Sequence, residues 1–262
     1  MSLRTFLLAF ATVLLLPNAL HAQTGAEKDK VAMAVLTQMG LTTGWVKGRI
    51  PADIDAEGTL VRAAGDKEVS SAIHLKARVI GQFRSELRDS AGTRSTVVNG
   101  SRAVDVDSSR QSRKMAPHVA VSVRPVMFPF FLSLRDIDQP DLTVYYAGTE
   151  EISGQAAHRI EISQELAGDD ALSDALRRTS PIILWISTTS FLPLQMDYIR
   201  LATSNRRAEL HFVRKLGDYR LVNGMLVPFL QEEWVEGQLM STLKLTTVRF
   251  NVGLSDSDFP IQ

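Results

Sequence analysis

Apolar and polar residues follow two rhythms along this chain, and the changes between them outline its elements. Residues 26–40 carry Val31, Ala34, Val35 and Met39 at helical spacing, which predicts a helix stopped by Gly40. A loop with Gly44, Gly48 and Pro51 follows, and then the period drops to two. Ile73, Leu75, Ala77 and Val79 alternate with His74, Lys76 and Arg78, and Phe83 and Leu87 continue the pattern among Gln82, Arg84, Glu86 and Arg88. That alternation predicts strands with one buried and one wet face. The turn signals Asp89-Ser90-Ala91-Gly92 and Asn99-Gly100 join these strands as hairpins, so residues from about 70 to about 113 form an antiparallel meander.

Residues 112–134 break the alternation. Pro117, Pro125 and Pro129 argue against a central strand and fit short helices or a packed loop. Met127, Phe128, Phe130, Phe131, Leu132 and Leu134 crowd the end of this stretch. Lying on a sheet, such a segment is either a lid or a core-filling cover.

After residue 140 the strand pattern resumes. Leu142–Tyr146 and His158–Ser163 flank a turn at Gly154, and residues 168–178 read as a short polar helix or surface insertion with Asp169 or Asp170 as N-cap. Strands at 182–186, 194–202, 207–213, 218–222, 226–235 and 239–250 then follow, with turns at Leu192-Pro193, Asn223-Gly224 and Glu236-Gly237. Two meanders without a linker or an internal repeat predict a mainly β fold with a few helices. Its simplest form is one strongly curved antiparallel sheet, an incomplete β-barrel covered by short helices.

Composition narrows the function classes. The absence of cysteine removes disulfide scaffolds, thiolate metal sites, cysteine nucleophiles and N-terminal lipidation on cysteine. With 29 Lys+Arg against 29 Asp+Glu there is no basic footprint for nucleic acid. Arg4 ahead of the apolar run at residues 6–16, which Pro17 ends, and a small residue at Ala22 read as a signal peptide over residues 1–22. An uncleaved N-terminal anchor is the alternative. No later run is long enough for a spanning helix, so residues 23–262 are expected as an exported, periplasmic domain without an integral span.

Tests for chemistry come back negative. His74, His118, His158 and His211 contain no i, i+4 pair and no H-E-x-x-H context, and there is no G-x-S-x-G elbow, Walker loop or G-x-G-x-x-G turn. Asp105 and Asp107 follow an Asn-Gly hairpin, which makes them sheet or turn carboxylates rather than a nucleophile on a parallel strand. Asp256 and Asp258 offer too few oxygens for a Ca²⁺ loop, and Phe259-Pro260 after them suggests a pinned strand end. We therefore expect no enzymatic activity, no metal and no cofactor.

Three segments carry a resemblance. Residues 191–195 (FLPLQ), 216–228 (LGDYRLVNGMLVP) and 254–259 (LSDSDF) occur in this order, with a Phe83 to Leu87 strand and Val97-Val98-Asn99-Gly100 before them. They resemble the LolA-like outer-membrane lipoprotein-sorting proteins over most of residues 26–260. The resemblance implies a half-barrel over residues 23–262 that holds acyl chains of a lipoprotein, or another lipid, between the sheet and a helical lid. Inner- and outer-membrane sorting components would then be partners. It implies Ile73, Leu75, Ala77, Leu184, Met196, Tyr198, Leu210 and Phe212 on the concave face, and Met127, Phe128, Phe130, Phe131 and Leu134 in the lid. Arg78 is the candidate for a sheet-borne lid tether, although the proline that usually follows in the family is missing. A non-catalytic sensor or interaction module of the same fold is the competing reading, and a hydrolase without a recognised motif is the third.

Overall fold

The computed structural model describes residues 29–46, 48–65, 67–78, 81–100, 102–116, 142–164, 171–202 and 205–261. Helix α1 (Lys30–Thr43) is followed by β1 (Asp53–Ala64), β2 (Lys67–Arg78), β3 (Gln82–Asp89), β4 (Gly92–Asn99), β5 (Arg102–Val106) and β6 (Ser112–Lys114). Then come β7 (Leu142–Ile152), β8 (Gln155–Gln164), helix α2 (Ala171–Thr179), β9 (Ile182–Ser187), β10 (Pro193–Ala202), β11 (Asn205–Val222), β12 (Met225–Val235) and β13 (Gln238–Phe250). All thirteen strands lie in one sheet, in the order β6-β5-β4-β3-β2-β1-β13-β12-β11-β10-β9-β8-β7. Every pairing is antiparallel. The curved, open antiparallel sheet expected from the alternation is what the chain forms. Its two meanders meet where β1 pairs with β13, which leaves β6 and β7 as opposite edges.

Three elements differ from the sequence expectation. Strand β1 sits at the centre of the sheet, where only a loop was expected before residue 70. Its inward positions are Ile54, Ala56, Gly58 and Leu60, and the small side chains among them mute the hydrophobic rhythm. Gly58 has to be small, because a Cβ there would lie 2.3 Å from the Lys244 carbonyl oxygen where the β1–β13 register slips. Helix α1 runs past Gly40, which is buried, and stops at Gly44, whose φ of 79° is the left-handed conformation of a helix end. Strand β11 is continuous through residues 205–222 where two strands were expected.

Side-chain alternation gives the sheet an inner, apolar face with two clusters. Ile54, Ala56, Ile73, Leu75, Ala77, Phe83, Val98, Ala103, Met225, Val227, Phe229, Leu245, Val248 and Phe250 from β1–β5, β12 and β13 form the first, with Trp45. The second joins Val144, Ile160, Leu184, Ile186, Met196, Tyr198 and Phe212 of β7–β11 to Ala32, Val35, Leu36 and Met39 of α1.

On the outer face, the C-terminal segment is strapped across β2–β5. Asp53 accepts hydrogen bonds from the amides of Val252, Gly253 and Leu254. Arg78 and Gln82 donate to Asp256, and Lys76 donates to Asp258. Phe259, 1% exposed, packs on Val97 and Val104. The pinned strand end read from Asp256, Asp258 and Phe259 is thus realised. Asp107 caps the amides of Ser109 and Gln111 in the β5–β6 turn, and Asp105 accepts from Thr96, as sheet and turn carboxylates should.

Candidate functional site

The residues expected on the concave face do lie on the inner face, but in two groups. Ile73, Leu75 and Ala77 belong to the first cluster. Leu184, Met196, Tyr198 and Phe212, with Leu210 at their margin, belong to the second, which α1 covers. Helix α1 is fastened at both ends. Its N-cap Asp29 accepts from the amides of Val31 and Ala32 and donates its own amide to the Val144 carbonyl on edge strand β7. At the other end Trp45 donates to the Leu226 carbonyl at 2.9 Å and meets Phe250 edge-on, with 5.7 Å between ring centroids. A cavity of about 10 Å³ remains between Met39, Thr43, Trp45, Tyr219 and Pro228, room for one water.

Over the first cluster no described helix lies. The expected lid residues Met127, Phe128, Phe130, Phe131 and Leu134 fall within residues 117–141, outside the described residues, in the stretch that joins edge β6 to edge β7. Arg78 points the other way from Ile73, Leu75 and Ala77, and its guanidinium donates to Asp256 at 2.6 Å and to Gln82 at 2.7 Å. What it tethers is the C-terminal segment on the outer face, a correction to the lid role expected of it.

Sequence reading missed the charged groups of the inner face. In the second half, Glu233 of β12 stands opposite Arg214 of β11 and accepts from it and from the Tyr198 hydroxyl. Arg200 of β10 lies 4.0 Å from Glu233, with its guanidinium carbon 4.7 Å from the Phe212 ring centroid and 5.1 Å from that of Tyr198. Burial alone would raise the Glu233 carboxyl, but Arg214 and Arg200 outweigh it and hold the group at about 2. Burial likewise pushes the Tyr198 phenol up. In the first half, Asp89 accepts from Arg94 at 2.7 Å and from Ser71 at 3.2 Å, with Arg62 at 3.9 Å. The Arg214–Glu233 pair was legible in outline, since counting back evenly from the Asn223-Gly224 turn sets those two residues opposite each other.

On the outer face, Asp55, Glu57 and His74 bring possible metal-ligand atoms within 4.8 Å of one another. Arg249 already occupies this group, donating to Asp55 at 2.6 Å and lying 3.6 Å from Glu57, while His74 binds the other Asp55 oxygen at 2.9 Å. Burial is outweighed by these hydrogen bonds, and the Asp55 carboxyl is lowered. The arrangement is a satisfied ion-pair network. His158 packs on Phe191 and contacts the Tyr146 hydroxyl, His211 is exposed, and His118 lies outside the described residues.

An open antiparallel half-barrel, an apolar inner face and a helix across one half together define a fold type that can be compared. No family model matches the sequence, and no curated protein matches it. Among solved structures, an outer-membrane lipoprotein-sorting protein domain from Vibrio parahaemolyticus aligns with a TM-score of 0.57 at 13% identity, over 87% of this chain and 97% of the other. The fold is LolA-like. A LolA superfamily protein from Nitrosomonas europaea aligns with a TM-score of 0.56 at 12% identity, covering 88% and 97% of the two chains. A DUF1329 family protein from Desulfovibrio piger gives 0.55 at 13%, covering 87% and 97%. At these identities the LolA-like likeness is one of fold.

Proposed function

We propose that this protein is a periplasmic carrier that holds acyl chains, of a lipoprotein or of a free lipid, against the first half of its inner face. The observation that carries the reading is the contrast across that face. One half is packed under α1, whereas the other is a buried apolar cluster from Trp45 and Phe83 to Phe229 and Phe250 with no described helix over it. Apolar surface of this kind drives lipid tails out of water without directional contacts. The lid role expected from the sequence falls to Met127, Phe128, Phe130, Phe131 and Leu134, and opening of such a lid would let cargo in and out. Residues 1–22 act as the export signal and residues 23–262 as the carrier domain. Among the described residues no helix is long and apolar enough to cross a membrane. Sorting components of the inner and outer membranes would be the donors and acceptors.

The packed half under α1 favours a second reading, in which the same fold serves as an interaction module with a filled core throughout. Lipid extraction and native mass spectrometry of protein isolated from periplasm separate the two. The carrier reading expects a co-purifying acyl species that Phe130→Asp with Phe131→Asp removes. No acyl species, and unchanged function in that double variant, would contradict it.

A further inference from the structure

The outer face of β2–β5 carries one transverse row that changes character halfway along. Successive strand pairings set Lys76 beside Arg84, Arg84 beside Val97 and Val97 beside Val104. Four strands at the usual spacing make this row about 14 Å long, basic over its first half and apolar over its second. The C-terminal segment lies along it in matching order. Asp258 accepts from the Lys76 ammonium at 2.7 Å, and its carbonyl accepts from Arg84 at 3.2 Å. Phe259, the next residue, fills the space over Val97 and Val104. Two residues further along the strands, Asp256 accepts from Arg78 and Gln82. A short acidic peptide, with an aromatic residue after its carboxylates, is thus already seated on this surface.

This contact is built like an interface rather than like a strand. Its root is fixed firmly, since buried Asp53 accepts from the successive amides of Val252, Gly253 and Leu254. Beyond that root, and among the described residues, no backbone hydrogen bond joins the segment to a strand. Its own are the local ones from Asp258 to Ser255 and from Phe259 to Asp256. What holds it to the sheet is ion pairs between partly exposed groups, which contribute little each, and the burial of Phe259. Val97 and Val104 are each 2% exposed because the segment covers them. The described cluster they form has Phe259 as its third member, with Leu254 and Ile261 at its margin. Phe259 can therefore lift away about the fixed root while every strand keeps its ladder. Arg84 also keeps a buried Nε without a partner, a donor open to a further carboxylate.

We propose that this row is a docking site for a segment of another protein in which an acidic residue precedes a phenylalanine, and that the C-terminal segment of this chain occupies it until such a segment displaces it. Lys76 and Arg84 receive the incoming carboxylate, and Val97 and Val104 receive the ring. Complementary charge guides such a segment to the row, and one aromatic anchor supplies most of the affinity. The site lies on the face opposite the two large apolar clusters, so it stands independently of the carrier reading.

The test titrates a fluorescein-labelled peptide LSDSDFPIQ, identical to residues 254–262, with the full chain and reads fluorescence anisotropy. Phe259→Ala loosens the internal competitor and should bind the peptide at least about tenfold more tightly than the wild-type chain. Adding Lys76→Gln and Arg84→Gln to that variant should lower the affinity at least about tenfold, as should Phe259→Ser in the peptide, whereas Lys215→Gln on β11 leaves it unchanged. Circular dichroism melting of each variant establishes that it folds. Should Phe259→Ala not fold, Asp258→Asn takes its place, and NMR follows the methyl groups of Val97 and Val104 as peptide is added. They should shift progressively and reach saturation. A folded Phe259→Ala chain that binds no more tightly than wild type, equal binding of the Phe259→Ser peptide, or methyl groups that stay in place would overturn the proposal. So would a wild-type chain that dimerises with rising concentration and loses this with Phe259→Ala, because the incoming segment is then that of a second copy.

Discussion

The two halves of the inner face are built from the same strand pattern and yet end differently. Under α1, Leu36 and Met39 are each 1% exposed and interlock with Leu184, Met196 and Tyr198, so this half is a solved packing problem. In the other half the strands and Trp45 alone make the cluster, among the described residues, although Ile54 at 1% and Val98 and Val227 at 0% exposed are buried as deeply. Under the proposed carrier function, one half of the sheet's apolar surface serves stability and the other serves exchange. Stability and function should therefore respond separately to mutation in the two halves.

The largest effect is expected at the buried ion pair. Glu233→Gln leaves Arg214 without its counter-charge and should cost about 3–5 kcal/mol in denaturant unfolding. The same group makes the protein acid-sensitive. Its carboxyl lies near 2 when folded against 4.5 as a free group, so its contribution is complete above about pH 4.5 and is lost as pH falls toward 2. That contribution is about 3 kcal/mol, and Glu233→Gln should flatten the acid limb of the stability profile by this amount. An unchanged limb would contradict the assignment.

Next comes the core under the helix. Leu36→Ala should cost about 2–5 kcal/mol and leave affinity for lipid intact, whereas Leu75→Ala should weaken lipid binding as well as stability. Equal effects on binding from both changes would erase the distinction between the halves. Asp29→Ala removes the N-cap and the tie to β7, with an expected loss of about 1 kcal/mol and faster amide exchange in the first turn of α1. Smallest is Arg78→Gln. Asp256 is 83% exposed, so breaking that pair should change stability by less than about 1 kcal/mol, measured by thermal melting.

Much of this was legible in the chain, and the remainder was hidden for physical reasons. Strong hairpin signals at Asn99-Gly100 and Asn223-Gly224 defined local pairings, so both meanders could be read. Strand β1 could not, because Ala56 and Gly58 bury little surface and its polar positions, Asp53, Asp55 and Glu57, resemble a loop. Pairing between β1 and β13 joins the two ends of the sequence, which no local signal encodes. For the candidate site, the inward residues were identifiable from alternation alone. Which of them α1 covers was not, because Val31, taken as part of its apolar stripe, is 52% exposed and Ala32 and Leu36 face the sheet instead. Arg78 misled for a similar reason, since its partner Asp256 is far away in sequence.

The central claim is that cargo occupies one half and not the other. Methyl-labelled NMR titration with dihexanoylphosphatidylglycerol tests it directly, by following Ile73, Leu75 and Leu245 beside Leu36, Ile160 and Leu184. The account predicts progressive shifts for the first three methyl groups while the second three stay in place. Shifts confined to the residues under α1, or spread evenly over both sets, would contradict it.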